Sequence, residues 1–130
     1  MAPATISYDH KTFRSASNTD NGEVSPATVF HYHQDGGIVW ADYSGGSITR
    51  GFLIATIQTE PGGHTHTLGA RYQHVNIAGE IMTGRCTSSP EILEDGRIRL
   101  HEKWQWTSGD LSKGESVVEE EREMSEIAGQ

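Results

Sequence analysis

Apolar and polar residues alternate over several short stretches of this chain. In the clearest case, between residues 97 and 106, one face is basic or polar and the other is apolar except for Glu102. The apolar members of that face are Ile98, Leu100, Trp104 and Trp106. A period of two is the pattern of a β-strand with one buried face. The stretch therefore predicts a strand that turns Glu102 toward a core.

Turn signals rich in glycine separate stretches of strand length. They are Asp35-Gly36-Gly37, Ser44-Gly45-Gly46, Glu60-Pro61-Gly62-Gly63, Ala78-Gly79, Ser89-Pro90, Asp95-Gly96 and Ser108-Gly109. Glycine supplies the positive φ that tight hairpins require, so these signals predict the reversals of an antiparallel meander. The predicted strands are about 6–14, 28–34, 38–43, 47–58, 65–77, 80–88, 97–106 and 115–121. About eight such strands close a small all-β barrel of the calycin-like kind.

Length and composition fit this architecture. The chain has 130 residues, of which 34% are hydrophobic and 15 are glycine, so we expect one domain with a thin core. The predicted barrel domain is 1–123. Acidic residues crowd the C-terminal end, and we expect residues 124–130 to be an acidic tail.

Charge and cysteine content narrow the classes of function. Ten Lys and Arg against eighteen Asp and Glu give a net charge of −8, which repels nucleic acid and anionic membranes. No basic segment precedes an apolar run, so we expect a cytoplasmic protein. The single cysteine, Cys86, excludes an internal disulfide and multi-cysteine metal sites. No cofactor-binding motif is present, and we expect no cofactor.

Glu102 is the best candidate for a catalytic or ligand-orienting group. A carboxylate that faces a core is costly unless it is paired or protonated. It is therefore either a general acid or base with a raised pKa, or a structural residue that lies near the barrel rim or is bonded to Arg71, Arg85 or a tyrosine.

Other polar side chains share a face on the predicted strand 65–77. Tyr72, His74 and Asn76 lie two residues apart, which would suit a polar ligand site beside Glu102. Tyr72 and His74 are the candidate catalytic partners of Glu102, and Asn76 is a candidate ligand-binding residue. The alternative is that they are ordinary amphipathic residues near a strand end.

Three tryptophans, Trp40, Trp104 and Trp106, are the remaining ligand-binding candidates. They would line a pocket for a small apolar or aromatic molecule, or they would fill the barrel as a plug. The sequence leaves both interpretations open.

Histidines and the cysteine suggest further chemistry. His31 and His33, and likewise His64 and His66, form His-x-His pairs that place two imidazoles on one side of a strand. Exposed loop histidines are the alternative, and no metal site is predicted. Cys86 follows Arg85, which could lower a thiol pKa, although a small buried hydrophobe is the favoured interpretation.

Three stretches of the chain together resemble a known family. Arg99-Leu-His-Glu-Lys-Trp-Gln-Trp-Thr-Ser-Gly-Asp110, together with Ser17-Asn-Thr-Asp-Asn-Gly-Glu-Val24 and Ala41-Asp-Tyr-Ser-Gly-Gly46, is similar to small single-domain proteins labelled N-acetylglutamate synthase. That resemblance implies an acetyl-CoA-dependent acetyltransferase, which normally has an α/β fold with a phosphate-binding turn before a helix. The stretches named above contain no such turn.

Three classes of function remain. A small-molecule-binding barrel leads, because aromatic and a few polar interior residues supply a pocket. A cofactor-independent isomerase, lyase or cyclase that uses Glu102 as general acid or base is the alternative. An interaction module that uses the acidic surface is third. A homo-oligomer stays open, and so does the question of whether the protein is an enzyme.

Overall fold

The computed structural model describes residues 6–59 and 66–121, which form one closed antiparallel barrel. Its strands are β1 (Lys11–Asn18), β2 (Val29–Asp35), β3 (Ile38–Gly45), β4 (Ile48–Thr59), β5 (His66–Asn76), β6 (Ile81–Ile92), β7 (Ile98–Trp106) and β8 (Lys113–Glu120). Each strand pairs with the next, and β8 pairs with β1 to close the barrel. The predicted fold class, an all-β meander closing into a barrel of eight strands, is confirmed. The predicted tail, 124–130, lies outside the described residues.

Alternation along the strands decides which side chains enter the barrel. In β7 the even-numbered apolar residues are at most 8% exposed, as the period of two predicted. Within the described ranges, no helix is long and apolar enough to cross a membrane.

Within the described residues, most predicted turns are where the glycines indicated them, and the predicted turn at Glu60-Pro61-Gly62-Gly63 lies outside those residues. Gly36 and Gly79, for example, adopt φ values of 58° and 81° in the β2–β3 and β5–β6 turns. The predicted turn at Ser89-Pro90 is wrong, because both residues lie within β6. Pairing of β6 with β5 ends at Ser88, so Pro90 has a partner on the β7 side alone. Proline has no N–H to donate, so it is tolerated at a position where one neighbouring strand is not paired.

The two ends of the barrel are closed differently. At one end the segment before β1 packs Tyr8 against Tyr32, with the ring of Phe13 4.8 Å from that of Tyr32. All three are at most 2% exposed. At the other end the connection between β1 and β2, residues 19–28, folds across the opening; we call it the capping loop. The interior is therefore closed by apolar side chains at one end and by the capping loop at the other.

Glycines make room for the interior rings. Gly114 is the direct cross-strand partner of Trp104, and a Cβ built on it would lie 2.2 Å from the indole atom Cζ2. Only a residue without a side chain leaves that space to the ring. The same relation joins Tyr43 to Gly51 and Tyr72 to Gly84.

Candidate functional site

The interior of the barrel contains a cavity of about 50 Å³. Such a volume has room for roughly three to five water-sized groups. Its aromatic lining residues are Phe30, Tyr32, Tyr43, Tyr72, Trp104 and Trp106, and its polar lining residues include Asn18, Glu23, His74, Ser88, Glu102 and Ser116. The barrel is thus neither open throughout nor fully plugged.

The aromatic side chains of the cavity form a continuous chain of ring contacts. Trp106 is at its centre, with centroids 5.5 Å from Trp104, 5.8 Å from Tyr72 and 5.8 Å from His74. Each of these contacts is edge-to-face, a favourable arrangement for aromatic pairs. Trp104 and Trp106 therefore lie where the sequence predicted them, in the wall of an aromatic cavity.

Trp40 does not lie there. It occupies the outer face of β3, between the fully buried Val39 and Ala41, and its ring stacks on that of His33 at 5.7 Å. The prediction that Trp40 lines the pocket is wrong, because β3 turns its odd-numbered residues inward.

Glu102 lies half-buried at mid-height in the cavity wall. The hydroxyl of Ser116 donates to its Oε1 at 2.9 Å, and that of Ser88 donates to its Oε2 at 3.0 Å. Burial raises the pKa of Glu102 above its ordinary value, and the two serine hydrogen bonds oppose that rise. Neither Arg71 nor Arg85 is bonded to it: Arg71 donates to the Ala70 carbonyl and Arg85 to Gln105. The proposed arginine partners are therefore wrong.

Tyr72 and Cys86 line the cavity with Glu102. Burial raises the pKa of both side chains, and the nearby Glu102 adds to the rise in each. The burial of Cys86 therefore argues against an activated thiol. The end of the Tyr72 ring lies over Gly84, in the same cavity wall as Glu102.

His74 is buried at the capped end of the cavity and is part of a hydrogen-bond chain. Its Nε2 donates to Oε1 of Glu23 at 2.7 Å, because a carboxylate only accepts, and its Nδ1 lies 3.0 Å from the hydroxyl of Tyr43. Asn76 donates to the other Glu23 oxygen at 3.0 Å and to Glu80 at 3.1 Å. His74 lines the cavity, whereas Asn76 anchors Glu23 and lies outside the cavity wall.

The capping loop is fastened to the barrel by further hydrogen bonds. The indole of Trp106 donates to the carbonyl of Asn21 at 3.0 Å, and the amide of Asn18 donates to the carbonyl of Val24 at 2.8 Å. The other side-chain atom of Asn18, Oδ1, is buried in the cavity wall without a hydrogen-bond partner in the described structure. The cavity wall thus retains one buried acceptor that no described group satisfies.

The two imidazoles of the His31–His33 pair contact different groups. His31 lies near the hydroxyl of Thr12, 3.4 Å from it, and His66 lies 3.1 Å from that of Thr59. His33 turns instead toward Trp40 and the segment before β1. His64 lies outside the described residues.

Sequence reasoning missed five polar groups of the site, and one of them is Asn18 at the end of β1. Ser88 and Ser116 share the inward parity of their strands, so alternation on β6 and β8 would have placed them in the interior, although their pairing with Glu102 depends on the strand registers. Tyr43 follows the same rule on β3. Glu23 is in a loop, where no periodicity applies and no signal was available.

Comparison with known proteins identifies the family. The family model described as "Avidin-like protein" matches residues 6–121. The chain belongs to the avidin-like protein family. No curated protein and no solved structure matches it. The resemblance to N-acetylglutamate synthase proteins is therefore wrong, and the stretches that suggested it form part of the barrel: residues 99–106 lie in β7 and residues 41–45 in β3.

An avidin-like barrel with a buried aromatic cluster is consistent with the binding of a small molecule. Concave, largely apolar cavities with a few convergent polar groups are the usual sites for such ligands. In this avidin-like chain the convergent groups are Glu102, Asn18 and the Glu23–His74 pair.

Proposed function

We propose that the protein binds a small organic molecule in the barrel cavity and that Glu102 orients it. The observation that carries this proposal is the carboxyl of Glu102 set in an aromatic wall and held by Ser88 and Ser116. Those serines fix its geometry without neutralising its charge. A buried carboxyl that is costly to the fold and lacks a cationic partner is typical of a group kept for a ligand.

The charges in the wall favour a ligand with a positively charged group. Among the described lining residues there are two carboxylates, Glu102 and Glu23, and no lysine or arginine. The polar atom left without a partner, Oδ1 of Asn18, is also an acceptor. Aromatic faces attract cations, and a carboxylate forms its strongest hydrogen bonds with them. The proposed ligand therefore joins an apolar or aromatic body to an ammonium or amidinium group.

The volume of the cavity sets the size of the ligand. With the capping loop in place, about 50 Å³ accepts a group of a few heavy atoms. A larger aromatic molecule would need residues 19–28 to open, which breaks the contacts of Glu23 and of Trp106.

Matched pairs of small molecules test this proposal. Methyl-, ethyl-, propyl- and benzylammonium are titrated against the alcohols of the same shape, and tryptophan fluorescence and calorimetry follow binding. We expect the ammonium ions to bind roughly ten- to hundredfold more tightly, the effect of one charged hydrogen bond. Trp40→Phe should leave the fluorescence response intact, whereas Trp104→Phe should reduce it. Equal binding of alcohols and ammonium ions would contradict the charge assignment, and binding of neither would contradict the site.

A second candidate function is proton transfer in the same cavity by a cofactor-independent isomerase, lyase or cyclase. The raised pKa of Glu102, in a cavity wall that also contains Tyr72, favours it, since a general acid or base works best when its pKa is near the ambient pH. His74 is less suited, because both ring nitrogens are occupied by Tyr43 and Glu23. Exchange of a bound ligand's C–H hydrogens with D₂O, followed by NMR and lost in Glu102→Gln, would distinguish catalysis from binding alone.

A further inference from the structure

A second cluster of ligand atoms lies on the outside of the barrel, at the end opposite the capping loop. One oxygen or nitrogen from each of Asp9, His10 and His33 lies within 4.8 Å of the others. The first two residues precede β1 and the third is on β2, so the cluster joins the N-terminal segment to the barrel wall. It has no part in the cavity.

Hydrogen bonds hold the two segments in register. The backbone N–H of Gln34 donates to Oδ1 of Asp9 at 2.9 Å. The side-chain oxygen of Gln34 accepts from the backbone N–H of Tyr8 at 2.8 Å. The first of these two bonds occupies one carboxylate oxygen of Asp9, Oδ1. The other oxygen, Oδ2, lies 3.3 Å from Nε2 of His10 and is free to take a further partner.

The two imidazoles differ in exposure and in ring contacts. The ring of His33 is stacked on Trp40, with their planes at 27°, whereas the side chain of His10 is 82% exposed. The rings meet edge to face with centroids 5.9 Å apart. The cluster therefore pairs a restrained ligand with a movable one, which can close around an ion without displacing the barrel.

We propose that Asp9, His10 and His33 form a binding site for a divalent transition-metal ion, with Zn²⁺ as the best match. Two imidazole nitrogens and one carboxylate oxygen suit zinc, which binds such ligands at about 2.0–2.2 Å. Tetrahedral ligands then lie roughly 3.3 Å apart, which is the separation of the Asp9 and His10 atoms, so the three groups need only small shifts to close around an ion. Imidazoles argue against Mg²⁺ and Ca²⁺, which prefer oxygen ligands.

A second carboxylate lies close to the same site. Oδ1 of Asp42 is 3.8 Å from Nε2 of His33, and its side chain is 63% exposed. It can neutralise the charge of the ion or supply the fourth ligand, and water is the alternative. The net charge of −8 on the chain favours the approach of any cation.

Calorimetric titration of the untagged protein with ZnCl₂ is the first test. We expect one ion per chain at this site. His10→Asn and His33→Gln should each weaken binding at least tenfold, and asparagine suits position 10 because it tolerates the observed φ of 59°. The matched control is His31→Gln, an exposed histidine two residues along the same strand face, which should leave the affinity unchanged.

Trp40 provides an independent readout at the site. A paramagnetic ion, Ni²⁺ or Co²⁺, bound at His33 should quench the fluorescence of the tryptophan stacked on that ring. The quenching should be absent in Trp40→Phe, while the Zn²⁺ stoichiometry stays the same.

Three results would overturn the proposal. The first is the absence of saturable Zn²⁺ binding at millimolar concentration. The second is an equal loss of Zn²⁺ affinity in His31→Gln and His33→Gln, and the third is an unchanged Zn²⁺ affinity in His10→Asn. If His33→Gln fails to fold, His10→Asn decides by itself, since its side chain is largely in solvent and its loss removes no core contact.

Discussion

Ser116 donates a hydrogen bond of 2.9 Å to Glu102 from the neighbouring strand, and the donor is itself 6% exposed. The pair, with Ser88 on the other side, holds a carboxyl in a position where burial opposes its ionisation. A pair of neutral donors offsets only part of that opposition. The arrangement thus gains a fixed acceptor in the cavity at the expense of stability.

Glu102→Gln should therefore keep the fold and lose the ligand. The amide preserves the shape and can bond both serines, so we expect stability at pH 7 to be equal or roughly 1 kcal/mol higher. Binding of an ammonium ligand should weaken by roughly 1.5–3 kcal/mol. Urea denaturation and calorimetry measure the two effects. A variant that loses stability and still binds would make Glu102 a structural residue.

The pH dependence of stability provides a second measure of Glu102. Its pKa is higher in the folded protein than in the unfolded chain, so between the two values the folded state holds more protons. Stability should then fall as pH rises through the ordinary glutamate range toward the folded pKa, and level off above it. The Gln variant should lack this decrease. Urea midpoints from pH 4 to 8 test the difference, and identical curves for the two proteins would contradict it.

Gly114→Ala should disturb the tryptophan wall. The new methyl would lie 2.2 Å from Trp104 and 2.4 Å from Oγ1 of Thr19, so the ring must move. Overpacking of this kind costs roughly 1–3 kcal/mol and should change the near-ultraviolet circular dichroism. Gly37→Ala is the control, since nothing lies within 4 Å of its Cβ position. If Trp104→Phe does not relieve the cost of Gly114→Ala, the two positions are not coupled as the structure indicates.

Glu23→Ala should loosen the capping loop. It removes the acceptor of His74 and one acceptor of Asn76, and we expect a loss of about 1–2 kcal/mol. Amide hydrogen exchange of residues 19–28 should become faster, and a bound ligand should dissociate sooner. Glu80→Ala removes the other carboxylate from Asn76 but leaves His74 paired, so loop exchange should stay near the wild-type rate. Equal effects of the two variants would show that His74 does not hold the loop.

Alternation and turn chemistry were enough to predict the barrel and the inward face of β7. The same alternation puts Val39 and Ala41 on one face of β3 and Trp40 on the other, so the outward position of Trp40 could have been predicted from the sequence. Trp40 was instead assigned to the interior because it is a large aromatic residue. The partners of Glu102 required the registers of β6 and β8, which depend on how each hairpin closes and are not contained in one strand's pattern. Glu23 acts from a loop, where side-chain direction follows from tertiary contacts alone.

Cys86 offers a direct report on whether the cavity is occupied. It is the single cysteine, it lines the cavity beside Glu102, and burial raises the pKa of its thiol. Since the thiolate is the reactive form, alkylation by iodoacetamide at pH 8 should be much slower than that of the unfolded chain, and should accelerate as pH rises further. A ligand that fills the cavity should slow it again, whereas one bound elsewhere should not. Mass spectrometry follows the modification, with protein in urea as the reference for full reactivity. Alkylation of the folded protein at the unfolded rate would mean that the thiol is open to solvent, and it would contradict the prediction.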